Sequence, residues 1–76
     1  MASSPKMFSA IDYSNPFGIT GPLSEVNVTQ ISEVIVSNEP RVYLVLPAGA
    51  MTRGFSTSVD ALAEAQLWIN RIEAAS

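Results

Sequence analysis

The chain of 76 residues contains no cysteine and no histidine, and Lys6 is its single lysine. Without cysteine, neither a disulfide bond nor a thiolate nucleophile can form. Without histidine, the chain lacks the most common general base and the most common zinc ligand. We therefore expect no enzyme, no catalytic residues, no metal site and no other cofactor.

Charged residues are also scarce, at 14% of the chain against 47% hydrophobic residues, whereas soluble domains contain about 25% charged residues. So few charges in so small a domain indicate that a partner protein or a second copy covers part of the surface. The net charge of −3 argues against binding to nucleic acid, because that affinity comes mainly from neutralised phosphates.

Apolar runs long enough to span a membrane are absent from the sequence, and its first residues lack the apolar core of a secretory signal. We expect a cytoplasmic or particle-associated protein that is not secreted and has no membrane partner.

The strongest helix pattern covers residues 55–75. Thr57, followed three residues later by Asp60, is typical of an N-cap with an acidic residue in the first turn, although Ser56 and Ser58 are rival caps. Spacing of 100° per residue places one apolar arc on this helix. The arc consists of Ala61, Leu62, Ala65, Trp68, Ile69 and Ile72.

The opposite side of this helix is predicted to be polar, with Asp60, Glu64 and Arg71 on it. Leu67 lies in the middle of that polar side, where it is either a single exposed leucine or a contact for a partner. Trp68 lies at the edge of the apolar arc and is predicted to be a core residue whose N–H finds an acceptor.

Three strands are predicted before the helix, at residues 25–36, 41–46 and 50–55, because these segments are rich in β-branched and aromatic side chains. Turn residues separate them at positions 37–40 and 47–49. The first strand is either continuous or broken by a bulge near Gln30. The expected fold class is α+β: a small two-layer domain in which a three-stranded antiparallel β-meander is followed by one C-terminal α-helix, with an extended N-terminal arm.

A three-residue hairpin loop at positions 47–49 would direct Val42, Leu44 and Leu46 towards the helix. The other sheet face would then be apolar between two arginines, and one helix cannot cover both faces. A one-residue slip in either hairpin would exchange the two faces. In the predicted register this second face carries Val34, Val36, Arg41, Tyr43, Val45, Met51, Arg53 and Phe55.

Residues 1–24 are predicted to form an extended or partly disordered arm, and residues 25–76 the single domain. Proline and glycine interrupt the arm, which nonetheless carries many large apolar side chains. It is either a disordered terminus or a segment that docks on its own domain, on another copy or on a partner. Phe17 would be the buried anchor, with Tyr13 nearby.

Two resemblances are visible over about the last forty residues. The element order, with Arg41, Tyr43 and Arg53 on a sheet backed by a helix, is similar to that of sheet-reading DNA-binding modules. The spacing of Thr57, Asp60, Ala61, Ala65 and Trp68 resembles that of the helix at the end of some small phage proteins. No residue role follows from either resemblance.

The sequence thus predicts a non-enzymatic protein-binding module, a small and phage-like regulator or inhibitor that docks on a larger host protein through its sheet face and arm. A structural accessory or cement subunit of a capsid or other assembly is the second hypothesis, and a DNA-binding module the third. A larger protein partner and a homodimer are the expected partners. The predicted partner-binding residues are Tyr13, Phe17, Arg41, Tyr43, Met51, Arg53, Phe55 and Leu67.

Overall fold

The structure, a computed structural model, describes the backbone of residues 6–17 and 25–75, and the side chains of residues 6–14 and 25–75. It confirms a small α+β domain in which an antiparallel meander precedes one C-terminal helix. The elements in chain order are β1 (Met7–Ser9), β2 (Ser14–Phe17), β3 (Glu25–Asn27), a 3₁₀ helix (Val28–Gln30), β4 (Glu33–Ser37), β5 (Arg41–Leu46), β6 (Gly49–Gly54) and α1 (Ser58–Ala75).

The predicted first strand at residues 25–36 is divided into β3, the 3₁₀ helix and β4. Asn27 causes the interruption, because its side-chain oxygen accepts from the backbone N–H of Thr29 at 3.0 Å and from the Thr29 hydroxyl at 2.7 Å. Such a local bond gives the backbone an alternative to the strand ladder. The meander therefore consists of β4, β5 and β6.

Part of the predicted arm contributes strands of its own. β2 adds to β6, so that the larger sheet has the order β2-β6-β5-β4, while β1 and β3 form a two-stranded sheet. The β2–β6 ladder pairs Ser14 with Thr52 and Phe17 with Ala50, with a register shift between the two pairs. The described part of the arm is thus joined to the rest of the domain by backbone pairing.

The predicted register of the second hairpin is wrong by one residue. The loop consists of Pro47 and Ala48 alone, so that Leu44 pairs with Met51 and Val42 with Arg53. The tight connection uses a φ of 151° at Gly49, a conformation that a side chain would disfavour. Since side chains alternate between the faces, this shift moves Met51 and Arg53 to the side that the helix covers.

Helix α1 begins as predicted. The Thr57 hydroxyl accepts from the backbone N–H of Asp60 at 3.2 Å, and the Thr57 carbonyl accepts from the N–H of Ala61 at 3.2 Å. Thr57 is therefore the cap, in preference to Ser56 and Ser58.

The core lies between α1, the 3₁₀ helix and the sheet, where the helix packs on β4 and β5. The prediction that Leu62 and Ile69 belong to the buried arc is wrong, because they are 58% and 37% exposed. The buried stripe of the helix is instead centred on its small residues and its tryptophan. The largest fully buried side chains are Trp68, Leu44, Met51, Val28 and Val42.

Candidate functional site: a groove beside helix α1

A buried polar triangle fixes the helix to the N-terminal strands. The Tyr13 hydroxyl donates to Glu64 Oε2 at 2.8 Å. Trp68 Nε1–H is shared between Tyr13 Oη at 2.8 Å and Glu64 Oε2 at 2.9 Å. Tyr13 and Trp68 are both buried, so these bonds satisfy groups that would otherwise be costly to remove from water.

The triangle keeps Tyr13 protonated. Burial is the main cause that raises the pKa of the Tyr13 hydroxyl, and the hydrogen bond to the Glu64 carboxylate and its negative charge raise it further. The hydrogen bond from Trp68 and the charge of Arg53 act in the opposite direction and are smaller. The hydroxyl is consequently a fixed donor at neutral pH.

Aromatic packing extends this attachment. Phe8 in β1 lies edge-on to Trp68, with ring centroids 6.3 Å apart, and Tyr13 does the same at 5.9 Å. The Arg71 guanidinium lies 4.4 Å from the centroid of Phe8 and 4.8 Å from that of Trp68. Arg71, predicted on the polar side, therefore covers the aromatic cluster rather than pointing into solvent.

Glu64 also forms an ion pair with Arg53 in β6. Arg53 Nη1 lies 3.6 Å from Glu64 Oε2 and 3.9 Å from Asp12 Oδ2. Its guanidinium carbon lies 4.8 Å from the centroid of the Phe55 ring. Because two carboxylates and an aromatic ring already hold the Arg53 guanidinium, this side chain has little conformational entropy left to lose when a partner binds.

A surface groove opens next to Arg53, between one flank of α1 and the Arg41–Gly54 end of the β5–β6 ladder, and we call it the α1 groove. Its volume is about 800 Å³. It is lined by Glu39, Pro40, Arg41, Arg53, Gly54, Phe55, Ser56, Asp60, Ala63, Glu64 and Leu67. The lining combines two guanidinium groups and three carboxylates with apolar walls.

Arg41 forms the sheet-side wall of the groove. Its Nη1 donates to the Thr52 hydroxyl at 3.2 Å. Gly54 lies beside it, where an added Cβ would be 3.2 Å from Arg41 Nη2, so a side chain at this position would push the guanidinium away. Among the described residues, no carboxylate oxygen lies within 4 Å of the Arg41 nitrogens. Its remaining N–H donors can therefore serve a bound group.

Leu67 forms the helix-side rim and is 42% exposed. It follows Asp60 and Glu64 along the same flank of α1, so that an apolar side chain stands beside two carboxylates at the mouth of the groove. The observed exposure agrees with the predicted position of Leu67 outside the apolar arc.

Of the predicted partner-binding residues, the structure brings Arg41, Arg53, Phe55 and Leu67 together in the α1 groove. Tyr43 does not line the groove: it lies on the same outer sheet face as Arg41, two residues further along β5. Its hydroxyl donates to Glu39 Oε1 at 2.7 Å, and the Ser37 hydroxyl donates to the same oxygen at 2.9 Å. These hydrogen bonds, that of Tyr43 first, lower the pKa of Glu39, while the bond to Glu39 raises the pKa of Tyr43.

The other predicted residues lie elsewhere. Met51 is 0% exposed in the core and Tyr13 is 9% exposed in the polar triangle, so a partner would reach either one only by displacing packed elements. The prediction of Phe17 as a buried anchor concerns a side chain outside those that the structure describes.

The outer sheet face also differs from the predicted one. Val34, Val36, Met51 and Arg53 are on the helix side, so the outer face carries Ile35, Tyr43 and Val45 among polar neighbours. Ile35 is the most exposed of these apolar residues at 40%. The apolar patch predicted there is thus smaller, because the hairpin register differs.

Sequence reasoning missed Glu64, which was placed on a solvated face of the helix. The Glu64 side chain is only 16% exposed and joins Tyr13, Trp68 and Arg53. A detectable signal existed in its spacing from Trp68, because residues four apart on a helix are neighbours. Its contacts with Tyr13 and Arg53 depend on tertiary packing and left no local signal.

A smaller depression of about 360 Å³ lies at the opposite end of the meander. It contains none of the predicted site residues and a single carboxylate. Its lining consists of Glu25, Val26, Asn27, Gln30, Leu46, Pro47 and Ala48.

Within residues 6–17 and 25–75, no three acidic side chains are grouped closely enough to hold a metal ion. In the same residues, no helix is both long enough and apolar enough to cross a membrane. No protein-family model, no curated protein and no solved structure matches the chain. The groove itself is therefore the basis for a functional proposal.

Proposed function

We propose that the protein is a non-enzymatic protein-binding module that docks on a larger protein through the α1 groove and acts as its regulator or inhibitor. The observation that carries this proposal is the convergence of Arg41, Arg53, Phe55 and Leu67 on one open groove. These four residues come from three different elements and the strand-to-helix connection, so the tertiary fold alone assembles them.

The residue types of the groove support a protein partner. Arginine and aromatic side chains are enriched at the centres of protein interfaces, where they supply contact area and directional donors together. Arg53 is already oriented by Glu64 and Phe55, so its immobilisation on binding costs less side-chain entropy. Arg41 presents donors that suit a carbonyl or carboxylate of the partner.

The apolar part of the groove suits a partner side chain. Both Phe55, in the connection that follows β6, and Leu67, on α1, line the groove. An aliphatic or aromatic side chain inserted between them would be desolvated on both faces. The carboxylates of Glu39 and Asp60 in the lining would favour a basic residue next to that side chain.

The test compares two glutamate substitutions on exposed apolar positions of α1. Leu67→Glu places a charge in the groove, whereas Val59→Glu, at a site 75% exposed and outside the groove lining, is the matched control. Each variant and the parent would be used as bait in extracts of the organism that makes the protein, followed by binding titration of any protein captured. We expect Leu67→Glu to weaken binding by about tenfold or more.

A captured protein that binds parent and Leu67→Glu equally would show that the α1 groove is not the binding surface. Circular dichroism of both variants would establish that the fold is retained. Loss of binding in Val59→Glu as well would indicate a non-specific effect of added negative charge and would also contradict the proposal.

A further inference from the structure

The two edges of the larger sheet differ in how well they are protected from another strand. β2 forms one edge and contains Pro16 together with a register shift, both of which hinder pairing with a further strand. β4 forms the other edge with the sequence EVIVS and an unbroken register from Glu33 to Ser37. It contains no proline, no lysine and no bulge.

Every second residue of β4 directs its N–H and C=O away from β5, because an edge strand is paired on one side only. Within the described part of the chain, no strand pairs with this outer side. The row of donors and acceptors is accompanied by apolar side chains on both faces, of which Val34 and Val36 on the helix side are partly buried. Ile35 at its centre is 40% exposed.

The helix adds to this edge. Leu62 and Ile69 lie about 140–160° around α1 from Glu64 and Leu67, at 100° per residue, and so occupy the flank opposite the α1 groove. Since that groove lies on the β6 side and α1 packs on β4 and β5, the flank with Leu62 and Ile69 faces the β4 edge. The two side chains are 58% and 37% exposed.

We propose that the β4 edge, consisting of Glu33–Ser37 and flanked by Leu62 and Ile69, binds a second copy of this chain. The two β4 strands pair antiparallel about a two-fold axis at Ile35, which produces one continuous eight-stranded sheet. This surface is separate from the α1 groove and leaves one groove open on each copy.

The sequence of β4 is self-complementary in this register. Ile35 lies opposite Ile35 of the other copy, and Val34 lies opposite Val36, so that apolar groups meet on both faces. Glu33, the only charged residue of the strand, lies opposite Ser37 rather than opposite another carboxylate. Like charges therefore do not oppose each other across the new ladder.

The helices fit the same arrangement. Neighbouring strands are about 4.8 Å apart, so two helices that each lie over the β4–β5 pair would approach to about 10 Å across the joint. This is the usual distance between packed helices. Leu62 and Ile69 from both copies would then fill the space above the joined strands, which accounts for their exposure in the single chain.

In this dimer alone, Ile35 of one copy lies opposite Ile35 of the other, and the test depends on that pairing. Ile35→Lys and Ile35→Glu each place like charges opposite one another and should raise the dimer dissociation constant by about tenfold or more. An equimolar mixture of the two variants places opposite charges together and should restore association. Sedimentation equilibrium over a range of concentrations measures the molecular mass of the parent, of each variant and of the mixture. Val59→Glu is the control and should dimerise like the parent.

Hydrogen exchange gives a second measurement. The outward amides of β4 should be protected in the concentrated parent and should exchange rapidly in Ile35→Lys, while the β5 amides stay protected in both. A parent that is monomeric throughout, variants that dimerise like the parent, or a mixture that does not associate would each overturn the proposal. Leu67→Glu should leave the dimer intact, so failure of the α1 groove and failure of the β4 edge are distinguishable.

Discussion

At the scale of single residues, the position of a polar group decides its role more than its type does. Tyr13 and Tyr43 each donate a hydroxyl hydrogen to a glutamate, at 2.8 and 2.7 Å. The first pair lies in the interior and includes Trp68, whereas the second lies at the surface. Water competes for the surface bond and not for the buried one.

Tyr13→Phe should therefore destabilise the protein by about 1–2 kcal/mol, because Glu64 loses a donor in a buried setting. Tyr43→Phe is the matched control and should change the free energy of unfolding by less than about 0.5 kcal/mol. Urea denaturation of both variants measures the difference. Equal effects of the two substitutions would mean that the buried triangle contributes no more than a surface bond.

At the scale of elements, the helix is defined by its cap and by two unequal flanks. The Thr57 hydroxyl satisfies one of the free N–H groups of the first turn. One flank carries Glu64 and Leu67 of the α1 groove, and the other carries the exposed Leu62 and Ile69. The helix thus supports two surfaces with different chemistry on either side of its buried stripe.

Thr57→Ala should lower the free energy of unfolding by about 1 kcal/mol, since the first turn loses its acceptor. Ser56→Ala, at the adjacent exposed hydroxyl, should change it by less than about 0.5 kcal/mol. Chemical denaturation followed by far-ultraviolet circular dichroism measures both. A larger effect at Ser56 would assign the cap to that residue instead.

At the scale of the whole molecule, the described N-terminal strands and the C-terminal helix depend on each other. β1 and β2 pair with β3 and β6, and Phe8 and Tyr13 close over Trp68. Because Tyr13 Oη is held between the Trp68 indole and the Glu64 carboxylate, the hydroxyl cannot ionise in place without breaking this attachment.

Alkaline pH should consequently unfold the protein through Tyr13. Its pKa is raised in the folded state, so the stability that neutral Tyr13 contributes is fully present below the unfolded value of about 10 and is lost as the pH rises above it. In Tyr43→Phe, where Tyr13 is the only tyrosine left, tyrosinate absorbance should appear together with the change in fluorescence of the single tryptophan.

Tyr13→Phe, in which only Tyr43 remains, is the control for this titration. Its tyrosine should ionise while the tryptophan signal stays that of the folded protein, because Tyr43 lies on the open sheet face. Ionisation of Tyr13 at a pH where the fluorescence is unchanged would show that the polar triangle does not join the two ends of the fold.

The sequence by itself determined the elements with strong local signals. The C-terminal helix, its cap at Thr57 and the exposure of Leu67 follow from periodicity and from hydrogen bonding within one turn, which depend on neighbours along the chain. The α+β class follows from the order of these elements. Arg41, Arg53, Phe55 and Leu67 could be selected as candidate binding residues, although not as members of one groove.

The tertiary structure alone decided the hairpin register, the burial of Met51 and Glu64, and the way in which the arm is attached. A loop of two residues or of three satisfies the same local preferences at positions 47–49, and a shift of one exchanges the faces of a strand. Glu64 was assigned to solvent because its partners Tyr13 and Arg53 are distant in sequence. Contacts of that kind form only when the chain has folded, since they depend on packing between elements rather than on the preferences of any one of them.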